Sequence, residues 1–282
     1  MKKITTFCMA ASMSILFANS SVIAASAPAD VTTTTQSTEG KIIWADLYTG
    51  NVQASLDFYT TTFGWTEQHF GDADARYHLL YDGKQPIAGV IKRPTERNQT
   101  ESALWIGSVG TDNVQVNVDK AAANNATVIF KPHDFALYGK RAVIADPQGG
   151  IIAFLDLDEQ NQAHQNISNK WDWAQLFSID TQKAADFYQA AFDFSVEKIA
   201  NTANSFYLVK QQAVQASIVN LPAEFEQRDR WVNFVTVRNL AQTLSKATQN
   251  GAEIIYQPTG AALAIIADPN GALLGLTEQE GE

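Results

Sequence analysis

Four tryptophans open repeated strand-like runs in this sequence: Trp44, Trp105, Trp173 and Trp231. Groups that can move protons or hold a polar ligand edge lie around them. Asp46 and Tyr48 share the alternate positions of Trp44 in IIWADLYT, and Gln175 and Phe177 share those of Trp173 in WDWAQLF. Residues 133–141, HDFALYGKR, add His133, Tyr138, Lys140 and Arg141. A carboxylate, an imidazole and a phenol are usual carriers of general acid–base catalysis, which makes Asp46, His133 and Tyr138 the candidates for it. Indole rings suit other tasks, either stacking on a planar ligand or filling a core, and residue type leaves both open. An aromatic cavity with a polar lip would suit an organic ligand carrying one acidic or hydroxyl group.

The elements that must position these groups are repeated. Residues 44–65, WADLYTGNVQASLDFYTTTFGW, match residues 173–194, WAQLFSIDTQKAADFYQAAFDF, at eight of 22 positions. Each copy begins with period-two alternation, which predicts a strand. Val52, Leu56, Tyr59 and Phe63 then fall at helical spacing, and Gly64 is placed to end the helix. Downstream, IADPQGG at 144–150 matches IADPNGA at 266–272, so a unit of about 110 residues is duplicated. The Asp-Pro-x-Gly runs predict turns between strands. Each unit also divides in half: residues 104–130 and 230–256 again read strand, helix, strand. The order strand, helix, strand, strand, strand therefore occurs four times. It predicts an α+β architecture with helices packed on one face of mostly antiparallel sheets.

The Trp-led strand, the D-F-Y helix and the DP-x-G turn, at this spacing, resemble the vicinal oxygen chelate superfamily, which holds glyoxalases, bleomycin-resistance proteins and extradiol dioxygenases. The resemblance spans roughly residues 41–157 and 171–279. It implies two tandem domains, each a cup-like curved sheet of paired βαβββ modules with the helices outside, related by pseudo-symmetry. For activity it implies much less, because one fold hosts many chemistries.

The resemblance also allows a residue-by-residue test for a metal. Family enzymes take one ligand from the first strand of each module and one from its last strand. The first-strand positions align with Trp44, Trp105, Trp173 and Trp231, and the last-strand positions with Ala153, Gly275, residues 88–90 and residues 216–218. Indole offers no lone pair to a metal, and Ala and Gly offer only backbone, whereas a catalytic site needs at least three N, O or S ligands. No metal and no cofactor is expected. His69 and His164 read as solvated and His78 as packed or hydrogen-bonded, so the histidines form no further metal cluster. Segment 133–141, which the second unit shortens by four residues, corresponds to the family's cavity mouth. This makes the first domain the expected working site. The expected ligand-binding set is Trp44, Asp46, Tyr48, Trp105, His133, Tyr138, Arg141, Trp173, Gln175 and Trp231.

Composition sets the remaining bounds. Residues 1–27 combine a basic start, an apolar stretch and Ala25-Ser26-Ala27, which reads as a cleaved signal peptide and predicts a periplasmic or secreted protein. Cys8, the only cysteine, lies inside it. Losing Lys2 and Lys3 leaves 18 basic against 30 acidic residues, a net charge of −12. That balance disfavours nucleic acid and anionic lipid as partners. Residues 28–40 read as a flexible tether and 158–170 as a linker between domains 41–157 and 171–279. Pairing of four modules within one chain predicts a monomer. The leading expectation is a small-molecule binding protein without the family metal. A metal-independent isomerase or lyase, or a structural module with filled cavities, are the alternatives.

Overall fold

The computed structural model describes residues 38–69, 77–93, 103–135, 138–158, 171–202, 204–221 and 228–279. The signal peptide, nearly all of the tether and linker, and His164 lie outside the described residues. Among the described residues, no helix is long and apolar enough to cross a membrane.

The first repeat runs β1 (Ile42–Thr49), α1 (Val52–Phe63), β2 (Thr66–His69), β3 (Tyr77–Asp82), β4 (Gln85–Lys92), β5 (Leu104–Gly110), α2 (Val114–Ala123), β6 (Thr127–Phe135), β7 (Gly139–Ala145) and β8 (Ile151–Leu157). The second runs β9 (Trp171–Ser178), α3 (Thr181–Phe192), β10 (Ser195–Lys198), β11 (Phe206–Lys210), β12 (Ala213–Asn220), β13 (Arg230–Val237), α4 (Leu240–Gln249), β14 (Glu253–Tyr256), β15 (Leu263–Ala267) and β16 (Leu273–Glu278). Each repeat forms one eight-stranded sheet, ordered β2-β3-β4-β1-β5-β8-β7-β6 and β10-β11-β12-β9-β13-β16-β15-β14. Antiparallel β1–β5 and β9–β13 pairs lie at the two centres, flanked by parallel β1–β4, β5–β8, β12–β9 and β13–β16 pairs. This is the α+β architecture of four βαβββ modules that the sequence predicts.

Local chemistry sets the helix ends. Each helix opens on an Asn or Asp whose side chain accepts a backbone N–H of the first turn: Asn51, Asn113, Asp180 and Asn239. Gly64 ends α1 in the left-handed conformation, φ 73°, as its placement predicts. In the second repeat Asp193 adopts that conformation at the end of α3, φ 55°.

The helices lie between the sheets, and the two sheets share their cores. One core joins α1 residues Leu56, Phe58 and Tyr59 to Leu240, Leu244 and Ala247 of α4. The other joins Val114, Val118 and Ala121 of α2 to Ala184, Phe187 and Tyr188 of α3. Polar groups cross the same boundary in two matching relays. The Trp105 indole N–H donates to the Tyr59 hydroxyl at 2.7 Å, and that hydroxyl donates to Asp268 at 3.0 Å. Trp231 donates to Tyr188 at 2.8 Å, and Tyr188 donates to Asp146 at 2.9 Å. Each aspartate spends its other oxygen on its own Asp-Pro turn. Asp268 Oδ1 accepts the N–H groups of Asn270 and Ala272, and Asp146 Oδ1 accepts those of Gln148 and Gly150. Burial, reinforced by the facing carboxylates, holds both phenols well above their ordinary pKa, so they remain donors.

Tyr59→Phe would leave the Trp105 N–H and one Asp268 oxygen buried and unpaired. A loss of about 1–3 kcal/mol is expected in denaturant unfolding, and Tyr188→Phe should match it. Since each core draws on both repeats, calorimetry should show one transition that either variant lowers as a whole; two separate transitions would contradict the shared cores. A pH effect follows from Asp229, which accepts the Ile179 N–H and the Gln148 amide at 2.9 Å each. Burial raises its pKa from 3.8 to about 6 despite these donors. The folded state then holds this proton more tightly than the unfolded chain, so the stability contribution present below pH 3.8 is lost as pH rises through about 6. Asp229→Asn should flatten that segment of a stability–pH profile.

Candidate functional site

The helix-free face of the first sheet gathers five of the expected residues, Trp44, Asp46, Tyr48, Tyr138 and Arg141. Period two along β1 turns Trp44, Asp46 and Tyr48 to this side, while Ala45 and Leu47 enter the helix-side core. Asp46 is fully buried. Its Oδ1 accepts the Tyr77 hydroxyl at 2.7 Å and the Trp44 indole N–H at 3.1 Å. Its Oδ2 faces an Arg141 terminal nitrogen at 2.8 Å. Arg141, 2% exposed, also donates to the Tyr48 hydroxyl at 3.1 Å and to Ser108 Oγ at 3.3 Å, and its guanidinium lies 5.4 Å from the Phe135 ring centre. Burial opposes the Arg141 charge, but Asp46 and Tyr48 outweigh it and its pKa ends above the ordinary value.

This group fills its own face. Trp44 has no exposed surface and packs against Tyr138 with ring centres 4.8 Å apart. Gly89 on β4 lies under the meeting point of Tyr77 and Asp46, and a β-carbon added there would collide with both. Tyr138 is held above its ordinary pKa by burial and by the nearby Tyr81 and Asp46, which keeps the phenol protonated at neutral pH. His133 stands apart: it is exposed, and its Nδ1 lies 2.9 Å from the backbone oxygen of Lys131. With Lys140, Asp156 and Asn113 it lines an open polar groove of about 570 Å³. Asp46, Tyr138 and His133 therefore do not converge on one reacting centre.

The helix-free face of the second sheet is different. Phe234 and Val232 are buried at its centre, and the Phe234 ring covers Gly275, where an added β-carbon would strike it. Around them Trp173, Phe177, Tyr207 and Tyr256 are only half-buried. Trp173 and Tyr207 meet edge to face at 6.4 Å. Gln175 lies on this face between Trp173 and Phe177. The Tyr256 hydroxyl is buried without a hydrogen-bond partner among the described residues.

Two expectations need correction. Trp105 and Trp231 do not share the position of Trp44 and Trp173. The strand registers pair Trp105 with Leu47 and Trp231 with Leu176, which puts both indoles on the helix side, in the relays. Ile106 and Val232 take the helix-free positions instead, opposite Asp46 and Gln175. The histidines do form a cluster: register sets His69 opposite His78, and Glu67 joins them. Residue spacing missed Tyr77 and Ser108. The available signal was parity, since Tyr77 alternates with Leu79 on the Trp44 side of β3.

The model of the Glyoxalase/Bleomycin resistance protein/Dioxygenase superfamily matches residues 41–154 and again 170–276, one match for each sheet. The chain belongs to that superfamily. Among curated relatives, a Mycobacterium tuberculosis protein named as a glyoxylase, CFP32, is 22% identical over 246 residues, 84% of this chain and 94% of the relative. The anthracycline biosynthesis protein DnrV of Streptomyces peucetius is 23% identical over 257 residues, 85% and 93% of the two chains. The Mn(II)-bound glyoxalase from Novosphingobium aromaticivorans has a similar fold, with a TM-score of 0.58, 12% identity, and 85% and 82% coverage. So does the 2,3-dioxygenase LapB from Pseudomonas sp. KL28, with a TM-score of 0.55, 13% identity, and 84% and 91% coverage. The strand registers put Trp44, Gly89, Ile106 and Ala153 on the helix-free face of the first sheet, and Trp173, Ser217, Val232 and Gly275 on that of the second. Tyr77 and Asp46 occupy the space above Gly89, and Phe234 that above Gly275.

Removing one member of the Asp46–Arg141 pair leaves a bare charge in a dry site. Arg141→Met should cost about 3–5 kcal/mol in denaturant unfolding, and adding Asp46→Asn should recover part of it. A cost below about 1 kcal/mol for Arg141→Met would mean that the pair does not hold this face closed.

Proposed function

We propose that this chain is an exported, metal-independent binding protein of the superfamily, taking a flat organic molecule on the helix-free face of its second sheet. The half-buried aromatic surface of Trp173, Phe177, Tyr207 and Tyr256 carries the reading. Flat rings stack favourably on such side chains, and Gln175 with the unpaired Tyr256 hydroxyl offers hydrogen bonds to one polar edge. This moves the working face from the first domain to the second. The relative named for anthracycline biosynthesis is in keeping with a fused-ring ligand. The absence of a family-type metal set is supported by the lack of His, Asp, Glu or Cys at the positions where the resemblance places the ligands, and by the side chains lying over Gly89 and Gly275.

The first sheet favours a second reading for its own half. Asp46 and Arg141 pair as ions under the cover of Trp44 and Tyr138, which suits a structural role and leaves acid–base chemistry without room for a substrate.

Titration with anthraquinone-class probes should quench tryptophan fluorescence at saturable concentrations without consuming the probe. Trp173→Leu should weaken binding roughly tenfold, about 1.4 kcal/mol, while Trp44→Phe should not. Turnover of a bound probe, or quenching unchanged by Trp173→Leu, would overturn the reading. Export predicts that protein recovered from the periplasm or medium begins after Ala27, which intact mass would check.

A further inference from the structure

We propose that Glu67, His69 and His78 form a binding site for a divalent ion of the zinc class, on the edge hairpin of the first sheet and apart from either helix-free face. The β2–β3 register places His69 directly opposite His78, with their rings 4.9 Å apart at 74°. Glu67, two residues before His69, points to the same side, and its Oε1 lies 2.9 Å from His78 Nδ1. One ligand atom from each residue falls within 4.8 Å of the others. Glu67 and His69 are exposed and His78 is half-buried.

The donor set decides the class of ion. Two imidazoles and one carboxylate make a borderline set suited to Zn, Ni or Cu, whereas Ca and Mg prefer oxygen alone. Zinc bonds of about 2.0–2.2 Å would replace the present 2.9 Å contact between Glu67 and His78, with both groups turned to the ion. Three protein ligands leave a fourth position for water or another donor. The fold itself does not demand these residues. In the second sheet the same cross-strand pair is Lys198 and Phe206, with Val196 two residues before Lys198. A bound ion would tie β2, the outermost strand of its sheet, to β3.

The test is equilibrium dialysis or calorimetry with zinc alone, on the full chain without a histidine tag. One zinc per chain is expected for the wild type. His69→Ala/His78→Ala should lose at least about tenfold in affinity, since even outer-shell changes cost that much. Glu67→Gln should fall between them, and it gives a reading independent of any folding defect in the double variant. No zinc uptake by the wild type at about 1 mM, or equal uptake by wild type and both variants, would overturn the site. Binding of the aromatic probe should be the same in all three proteins, so failure here and failure of the proposed function are read separately.

Discussion

The contact on which the rest of this molecule depends is a short hydrogen-bonded relay, made twice. An indole donates to a phenol, the phenol donates to a carboxylate, and the carboxylate organises a turn. The three residues of each relay come from three different modules: Tyr59, Trp105 and Asp268 in one, Tyr188, Trp231 and Asp146 in the other. Every polar atom in it is buried, so leaving one unpaired costs more than the bond itself is worth. The two sheets are thereby fixed in one arrangement, and the helices between them share cores that neither repeat could close alone.

With the helix sides committed to each other, only the outward faces are available for function, and the two have diverged. The first is closed by a buried ion pair wrapped in aromatic rings. Its stabilising value depends on complete pairing, because an isolated charge in that site would be expensive. The second is closed only at its centre, by Phe234, and keeps a rim of partly exposed rings. On each face one glycine, Gly89 or Gly275, has a neighbour's side chain lying over it. The missing β-carbon is what lets that neighbour lie there.

Much of the fold could be read from the sequence, because period two and helical spacing are local and the repeats reinforce each other. The D-F-Y helix and the DP-x-G turn were both visible as motifs, but not the bond between them, since Tyr59 and Asp268 lie in opposite repeats. The side taken by Trp105 was not legible for a different reason. Its strand, LWIGSVG, is buried almost throughout, so hydrophobicity does not alternate and parity carries no signal. Only the register against β1 decides it. Register also hid the Glu67, His69 and His78 cluster, and the Asp46–Arg141 pair spans strands far apart in sequence. Long-range pairing is the information that a local pattern lacks.

The relays carry one further consequence, for how such a chain could arise. Tyr59 of the first repeat grips the turn of the second, and Tyr188 of the second grips the turn of the first, so the contact is reciprocal. It has the form of an isologous interface, with the same patch used in both directions. Two separate half-length chains bearing this tyrosine and this aspartate would have met by association, and only at sufficient concentration. Joining them in one polypeptide replaces that bimolecular step with an intramolecular one. Fusion also frees the halves from identity. One face could then be sealed around an arginine while the other kept its rings exposed, an asymmetry that no symmetric dimer of a single sequence can hold.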